Sequence, residues 1–391
     1  MTSASNPSPF RPARRMEAIS EYYFSRKLKE IAEMNAAGAS IINLGVGSPD
    51  LPPGAETIGA LCTAATASDA HGYQSYAGIP ELRQAFARWY ARWYGVTLDP
   101  GSEILPLAGS KEGILHLALA FLDPGDGVLV PDPGYPTYTS ASRLAGARVI
   151  PYDLLERRGW QPDWEALEAM DLAGVRVMWA NYPHMPTGAP ATRETLERLV
   201  AFGRRHGIVI CHDNPYSVIR NRRPASILEV PGALETCVEL NSLSKSHNMP
   251  GWRVAMLASN ARFVSWALKA KSNIDSGQFR PVMLAAARAL DAPSSWYEEN
   301  NRAYARRSVI VEAMARRLGC TPAPGQEGLF LWCRAPGGDG EALADAVLHR
   351  ARVFITPGFI FGRNGAGYVR FSLCRGEDEL REAARRINDN M

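Results

Sequence analysis

Asn241-Ser242-Leu243-Ser244-Lys245-Ser246-His247-Asn248-Met249-Pro250-Gly251-Trp252-Arg253 is the stretch on which the reading of this chain turns. The residues just before it, Thr236 to Leu240, read as a buried strand. One hydroxyl lies three residues before Lys245, another lies one before it, and an arginine follows eight residues later. Only six of the 43 basic residues are lysines, so a lysine here is less easily casual surface charge. An amine, two hydroxyls and a fixed cation around one small volume suit a phosphorylated aldehyde held as an imine.

Working outward, strand patterns recur at Gly127 to Val130, Val175 to Ala180, Ile208 to His212 and Arg253 to Leu257. Amphipathic helix patterns separate them. One is Thr192 to Phe202, where Leu196, Leu199 and Val200 share a face with Phe202 at its edge. Apolar strands joined by helical crossovers predict an α/β fold, a mainly parallel sheet covered on both faces. After a long helical segment, roughly Pro281 to Leu318, the pattern changes. Gly328 to Cys333, Val353 to Ile355 and Tyr368 to Leu373 predict a smaller α+β unit. The expected division is residues 1–51 with the small domain, 52–285 as the large domain and 286–391 as the C-terminal small domain.

Asn181, Asp213 and the Ser242 to Lys245 segment each follow a strand, where ligands of open α/β sheets bind. Gly109-Ser110-Lys111 opens an apolar helix and offers backbone N–H groups to a phosphate, though an ordinary capped helix start would read the same. Arg253 could grip that phosphate through its planar fork. Asp213 is the candidate to keep a pyridine nitrogen protonated, Tyr216 to bond a phenolic oxygen, and Tyr135 to stack on the ring. Arg370, flanked by Val369 and Phe371, is the candidate for a substrate carboxylate, with a structural ion pair as the alternative.

Composition narrows the classes. A net charge of +3 over 391 residues gives no argument for nucleic acid or membrane partners. Six scattered cysteines without a CxxC pair read as reduced thiols, with no metal-ligand spacing, in a cytoplasmic protein. No secretory signal or membrane-length apolar run is visible. The first fifteen residues read as a loose start.

Together these residues resemble the class I/II aminotransferases, pyridoxal-phosphate enzymes of fold type I. The resemblance rests on the whole of Ser242 to Ala255. It extends through Asn43 to Asp50, Tyr76 to Leu82, Asp123 to Asp126, Pro186-Thr187-Gly188 and Tyr368-Val369-Arg370. The wording of Gly109 to Gly113 and Pro131 to Tyr138 is nearest to the branch of LL-diaminopimelate and alanine aminotransferases. The resemblance implies Lys245 as Schiff-base lysine and proton shuttle, with Arg253, Ser242 and the Gly109-Ser110-Lys111 backbone as phosphate ligands. It implies Tyr135, Asp213 and Tyr216 around the ring, and Gly47 and Arg370 at the substrate α-carboxylate. Tyr73 matches a tyrosine reaching the phosphate of a neighbouring subunit, hence a homodimer with composite sites.

Ping-pong transfer of an amino group between an L-amino acid and a 2-oxo acid is the implied reaction. One departure stands out: Met185 replaces the asparagine of the family's Asn-Pro-Thr-Gly and can donate no hydrogen bond. His184 beside it is a candidate to compensate or an ordinary loop residue. Met185 keeps a second outcome open, namely elimination, replacement, cyclisation or oxidation of an amino acid. A DNA-binding regulator built on the same fold is disfavoured, because no helix-turn-helix pattern precedes Asn43. For a distal substrate charge the candidates are Lys269 and Lys271. Gln278, Phe279 and Tyr22-Tyr23-Phe24 are candidates to line the substrate pocket.

Overall fold

The computed structural model describes residues 10–391 apart from 18, 20 and 22, so Tyr22 and the first nine residues lie outside the described part. In chain order the strands are β1 (Ile42–Asn43), β2 (Ile104–Leu107), β3 (Gly127–Asp132), β4 (Arg148–Asp153), β5 (Val175–Asn181), β6 (Val209–Asp213) and β7 (Cys237–Ser242). They continue with β8 (Ala255–Ala258), β9 (Thr321–Pro322), β10 (Phe330–Arg334), β11 (Val353–Phe354), β12 (Thr356–Pro357) and β13 (Tyr368–Ser372).

Seven strands form the large sheet in the order β2-β8-β7-β6-β5-β3-β4. Strands β7, β6, β5, β3 and β4 run parallel, and β8 is antiparallel to both its neighbours. All six residues of β3 and of β7 are buried, as strands covered on both faces require. Strands β2 and β4 had no clear pattern in the sequence. Pro106 interrupts the short β2, and β4 is an edge strand with a mostly exposed pattern and Pro151 inside it.

The helices follow their local chemistry. Arg193–His206 is capped by Thr192, whose hydroxyl accepts from the Thr195 N–H, and it ends on Gly207 in the left-handed region. Its buried face carries Leu196, Leu199, Val200 and Phe202, each worth about 1.5–3 kcal/mol when removed from water. The long segment expected from Pro281 to Leu318 is two helices, Arg280–Leu290 and Ser294–Arg317. Pro293 stands at the break as N-cap of the second, because its ring lacks an N–H and disfavours helix before it.

The small antiparallel sheet runs β12-β13-β10-β9, and β1 pairs in parallel with β11. The N-terminal segment therefore joins the C-terminal part of the chain. Arg307 of the Ser294–Arg317 helix is buried and forms a two-pronged pair with Asp50, at 2.7 and 2.8 Å. This pair ties Asp50 to the helix, and the same guanidinium donates to the Leu373 carbonyl just after β13 at 3.1 Å. Among the described residues no helix is long and apolar enough to cross a membrane.

Candidate active site

Strands β5, β6 and β7 are neighbours, and their carboxyl ends deliver Asn181, Asp213 and Ser242 to one cavity of about 460 Å3. That convergence follows from the parallel register, in which Asn181 faces Asp213 across the β5–β6 pairing.

One end of the cavity has the groups that could hold an anion. Gly109, at φ +101°, is the N-cap of helix Ser110–Phe121, and a side chain there would run into the Arg253 guanidinium. Ser110, Lys111, Ser242 and Arg253 line this end, and the Ser110 hydroxyl is buried without a hydrogen-bond partner. Arg253 itself has φ +58°, a strained conformation for a non-glycine residue, and Gln278 Nε2 donates to its carbonyl at 2.6 Å. The unpaired helix N–H groups, the hydroxyl and the guanidinium suit a phosphate dianion.

In the centre, Asp213 is 5% exposed. Tyr138 donates to its Oδ2 at 2.9 Å, while Oδ1 is buried without a partner. Burial pushes the carboxyl pKa up to about 6, with the Tyr138 hydrogen bond pulling in the opposite direction. Tyr138 is in turn stacked on Trp179 at 5.0 Å, and Asn181 Nδ2 donates to the Asp213 carbonyl at 2.6 Å. Tyr135 and Tyr216 line the same space, both with phenol pKa values raised by burial.

Lys245 lies between these groups. Its Nζ donates to the Gly47 carbonyl at 2.5 Å. Burial lowers the amine pKa, Arg370 and Arg253 lower it further, and Cys374 opposes them. A lysine so placed holds a larger neutral, nucleophilic fraction than one in water.

From the small sheet, Arg370 on β13 donates to the Gly45 carbonyl at 2.8 Å and to the Met185 sulfur at 3.1 Å. Its Cζ lies 3.8 Å from the Phe330 ring centre and 4.7 Å from that of Phe361. Gly47 is a glycine for a packing reason, since a Cβ there would overlap the Phe330 ring.

A sequence profile of the class I and II aminotransferases matches residues 39–387. The chain belongs to that family. The LL-diaminopimelate aminotransferase of Desulforudis audaxviator is 42% identical over 381 residues, covering 97% of both chains. The enzyme of the same name from Dehalococcoides mccartyi is 39% identical over 379 residues, 96% of this chain and 97% of that one. Among solved structures, apo-BacF from Bacillus subtilis superposes with a TM-score of 0.92 at 34% identity, over 98% of this chain and 99% of that one. The Thermotoga maritima aspartate aminotransferase gives 0.89 at 27% identity, over 97% and 99%.

Aminotransferases of this family use pyridoxal 5'-phosphate, and the cavity fits it. The orphaned Ser110 hydroxyl and the cradle under Gly109 suit its phosphate, and the orphaned Asp213 Oδ1 suits a protonated ring nitrogen. Tyr73 is not at the cavity; it is 93% exposed on the surface of the protomer.

Of the residues expected near the substrate, Phe24 lines the aminotransferase's cavity. Tyr23 lines a neighbouring cavity and packs edge-on against Phe359. Gln278 and Phe279 do not line it within one protomer: Gln278 is tied to Arg253, and Phe279 is exposed and stacked on His71. Nor do the two candidate lysines. Lys271 is buried and paired with Asp275 at 2.6 Å, and Lys269 is outside the lining. His184 turns away to Thr187 at 2.7 Å, its pKa lowered to about 3 by burial, so it does not take the place Met185 leaves. Tyr138, Phe330 and Phe361 were missed as site residues.

Proposed function

We propose the residue-level assignment of this aminotransferase. Lys245 is the catalytic amine, Asp213 the partner of the ring nitrogen and Tyr216 that of the phenolic oxygen. The phosphate is held by Ser110, Lys111, Ser242, Arg253 and the backbone at Gly109, with Tyr73 reaching in from a second subunit. Tyr135 stacks on the ring, and Gly47 and Arg370 take the substrate α-carboxylate. The division at residues 51 and 285, the homodimer with composite sites and the cytoplasmic location belong to the same proposal.

The convergence of three strand ends and Arg370 on one part-buried lysine carries this reading. When bound, the cofactor supplies an electron sink that lets an amino acid's α-proton leave. Arg370 would hold the amino acid by its carboxylate, so that the α-carbon faces Lys245. The Lys245 Nζ, kept partly neutral by burial and two nearby guanidinium groups, would take the proton and later return it. Asp213, walled from water, would keep the ring nitrogen cationic. Met185 leaves the substrate carboxylate to Arg370 without an amide beside it.

Borohydride reduction of the yellow holoprotein followed by peptide mapping should place the label on Lys245. A label on any other residue sinks the assignment. An amino-donor panel should convert the cofactor's aldehyde absorbance to that of the amine form. A chromophore unmoved by every donor would argue against transfer.

A further inference from the structure

The cavity is also lined by Phe24, Leu28, Val46, Met185, Phe330 and Phe361; the Met185 sulfur accepts from Arg370 and the three rings lie against its guanidinium. Two of these rings lie within 5 Å of the guanidinium carbon, and Phe24 lies at 5.9 Å. Among the described residues lining the cavity, the cations are Lys111 and Arg253 at the phosphate end, Lys245 at the reacting centre, and Arg370. Asp213 is the one carboxylate in that lining, and it lies at the ring position. Lys271 is consumed by Asp275. The charged residues Glu21, Arg26 and Arg143 line the neighbouring cavity, on the far side of Phe24, Tyr135 and Phe361.

Resting on the assignment of Arg370 to the α-carboxylate, we propose that this aminotransferase selects L-amino acids with uncharged apolar side chains, aromatic or branched aliphatic. A distal carboxylate or ammonium entering this space would lose its water and meet only carbon and sulfur from the protomer that supplies Arg370. A phenyl or isobutyl group would bury apolar surface against the three rings and Met185. Leu28 is 39% exposed at the cavity, so a longer polar side chain can be carried there without disturbing the core.

The test needs binding as well as turnover. The holoprotein is titrated by calorimetry with the unreactive acids 3-phenylpropanoate and glutarate. It is then mixed with L-phenylalanine, L-leucine, L-glutamate and LL-diaminopimelate while the cofactor absorbance is followed. We expect 3-phenylpropanoate to bind at least about 10-fold tighter than glutarate. The phenylalanine or leucine half-reaction should have the highest kcat/KM. Leu28→Arg, which adds a cation at the apolar wall, should narrow the binding ratio severalfold. Equal or tighter binding of glutarate, a highest kcat/KM for glutamate or diaminopimelate, or a ratio unmoved by Leu28→Arg would overturn the proposal. Should no amino acid react while phenylpropanoate still wins, the transfer assignment fails and the apolar pocket stands. Reaction with charged donors alone overturns the apolar pocket and leaves the transfer assignment standing.

Discussion

A carboxyl group buried as deeply as that of Asp213 prefers to keep its proton, and its pKa of about 6 reflects desolvation outweighing the hydrogen bond from Tyr138. Without a cation opposite Oδ1, ionising it opposes folding. Below about pH 3 the group is neutral in both folded and unfolded chains. Between about pH 4 and 6 the unfolded chain has lost a proton that the folded one keeps, so the cofactor-free fold loses roughly 3 kcal/mol across that window and no more above it. Asp213→Asn should therefore melt higher than the parent at pH 8 in cofactor-free form, with no difference near pH 3, while its affinity for the cofactor falls. Thermal melts at the two pH values check this; a gap that does not depend on pH refutes it. Asp213 was legible because it follows an apolar run and precedes Asn214-Pro215. Tyr138 was not, since nothing local separates a phenol aimed at a carboxylate 75 residues away from an ordinary helical tyrosine. Only the β6 strand end beside it gives that hydroxyl its meaning.

At the scale of elements, the helix Ser110–Phe121 brings its first turn to the Arg253 guanidinium because Gly109 adopts φ +101° and presents no side chain. Gly109→Ala combines a conformation that alanine avoids, costing about 1 kcal/mol or more, with displacement of Arg253 from the anion end. We expect pyridoxal-phosphate affinity to fall by roughly 10–100-fold, the loss of one charge-assisted contact, with helix content unchanged by circular dichroism. Unchanged affinity would show that the cradle does not matter. The elements that carried the sequence reading were those whose burial is continuous, such as β3 and β7, or broken only once, as β5 is at Arg176. Strand β4 failed because its exposed face and Pro151 break the apolar run. The break at Pro293 was hidden inside a segment whose apolar spacing continues on both sides.

At the scale of the whole molecule, one protomer leaves an aromatic surface uncovered: Tyr73 is 93% exposed, Tyr76 46% and Phe279 45%, the last stacked on His71. No pattern within a single chain says what meets such a surface, because the sequence records only one copy. If Tyr73 reaches the phosphate of a neighbouring subunit, Lys245 and Tyr73 of any one site come from different chains. Tyr73→Phe homodimers should bind the cofactor roughly 10-fold more weakly, having lost one hydrogen bond to a charged group. Lys245→Ala homodimers should be inactive. Mixed and reassembled, the two variants form hybrids in which one site carries both substitutions and the other carries neither. Activity at limiting pyridoxal phosphate should then rise above that of either variant alone, towards one intact site per hybrid. Subunit exchange verified by mass spectrometry with no such gain would place Tyr73 in its own protomer's surface and remove the composite site.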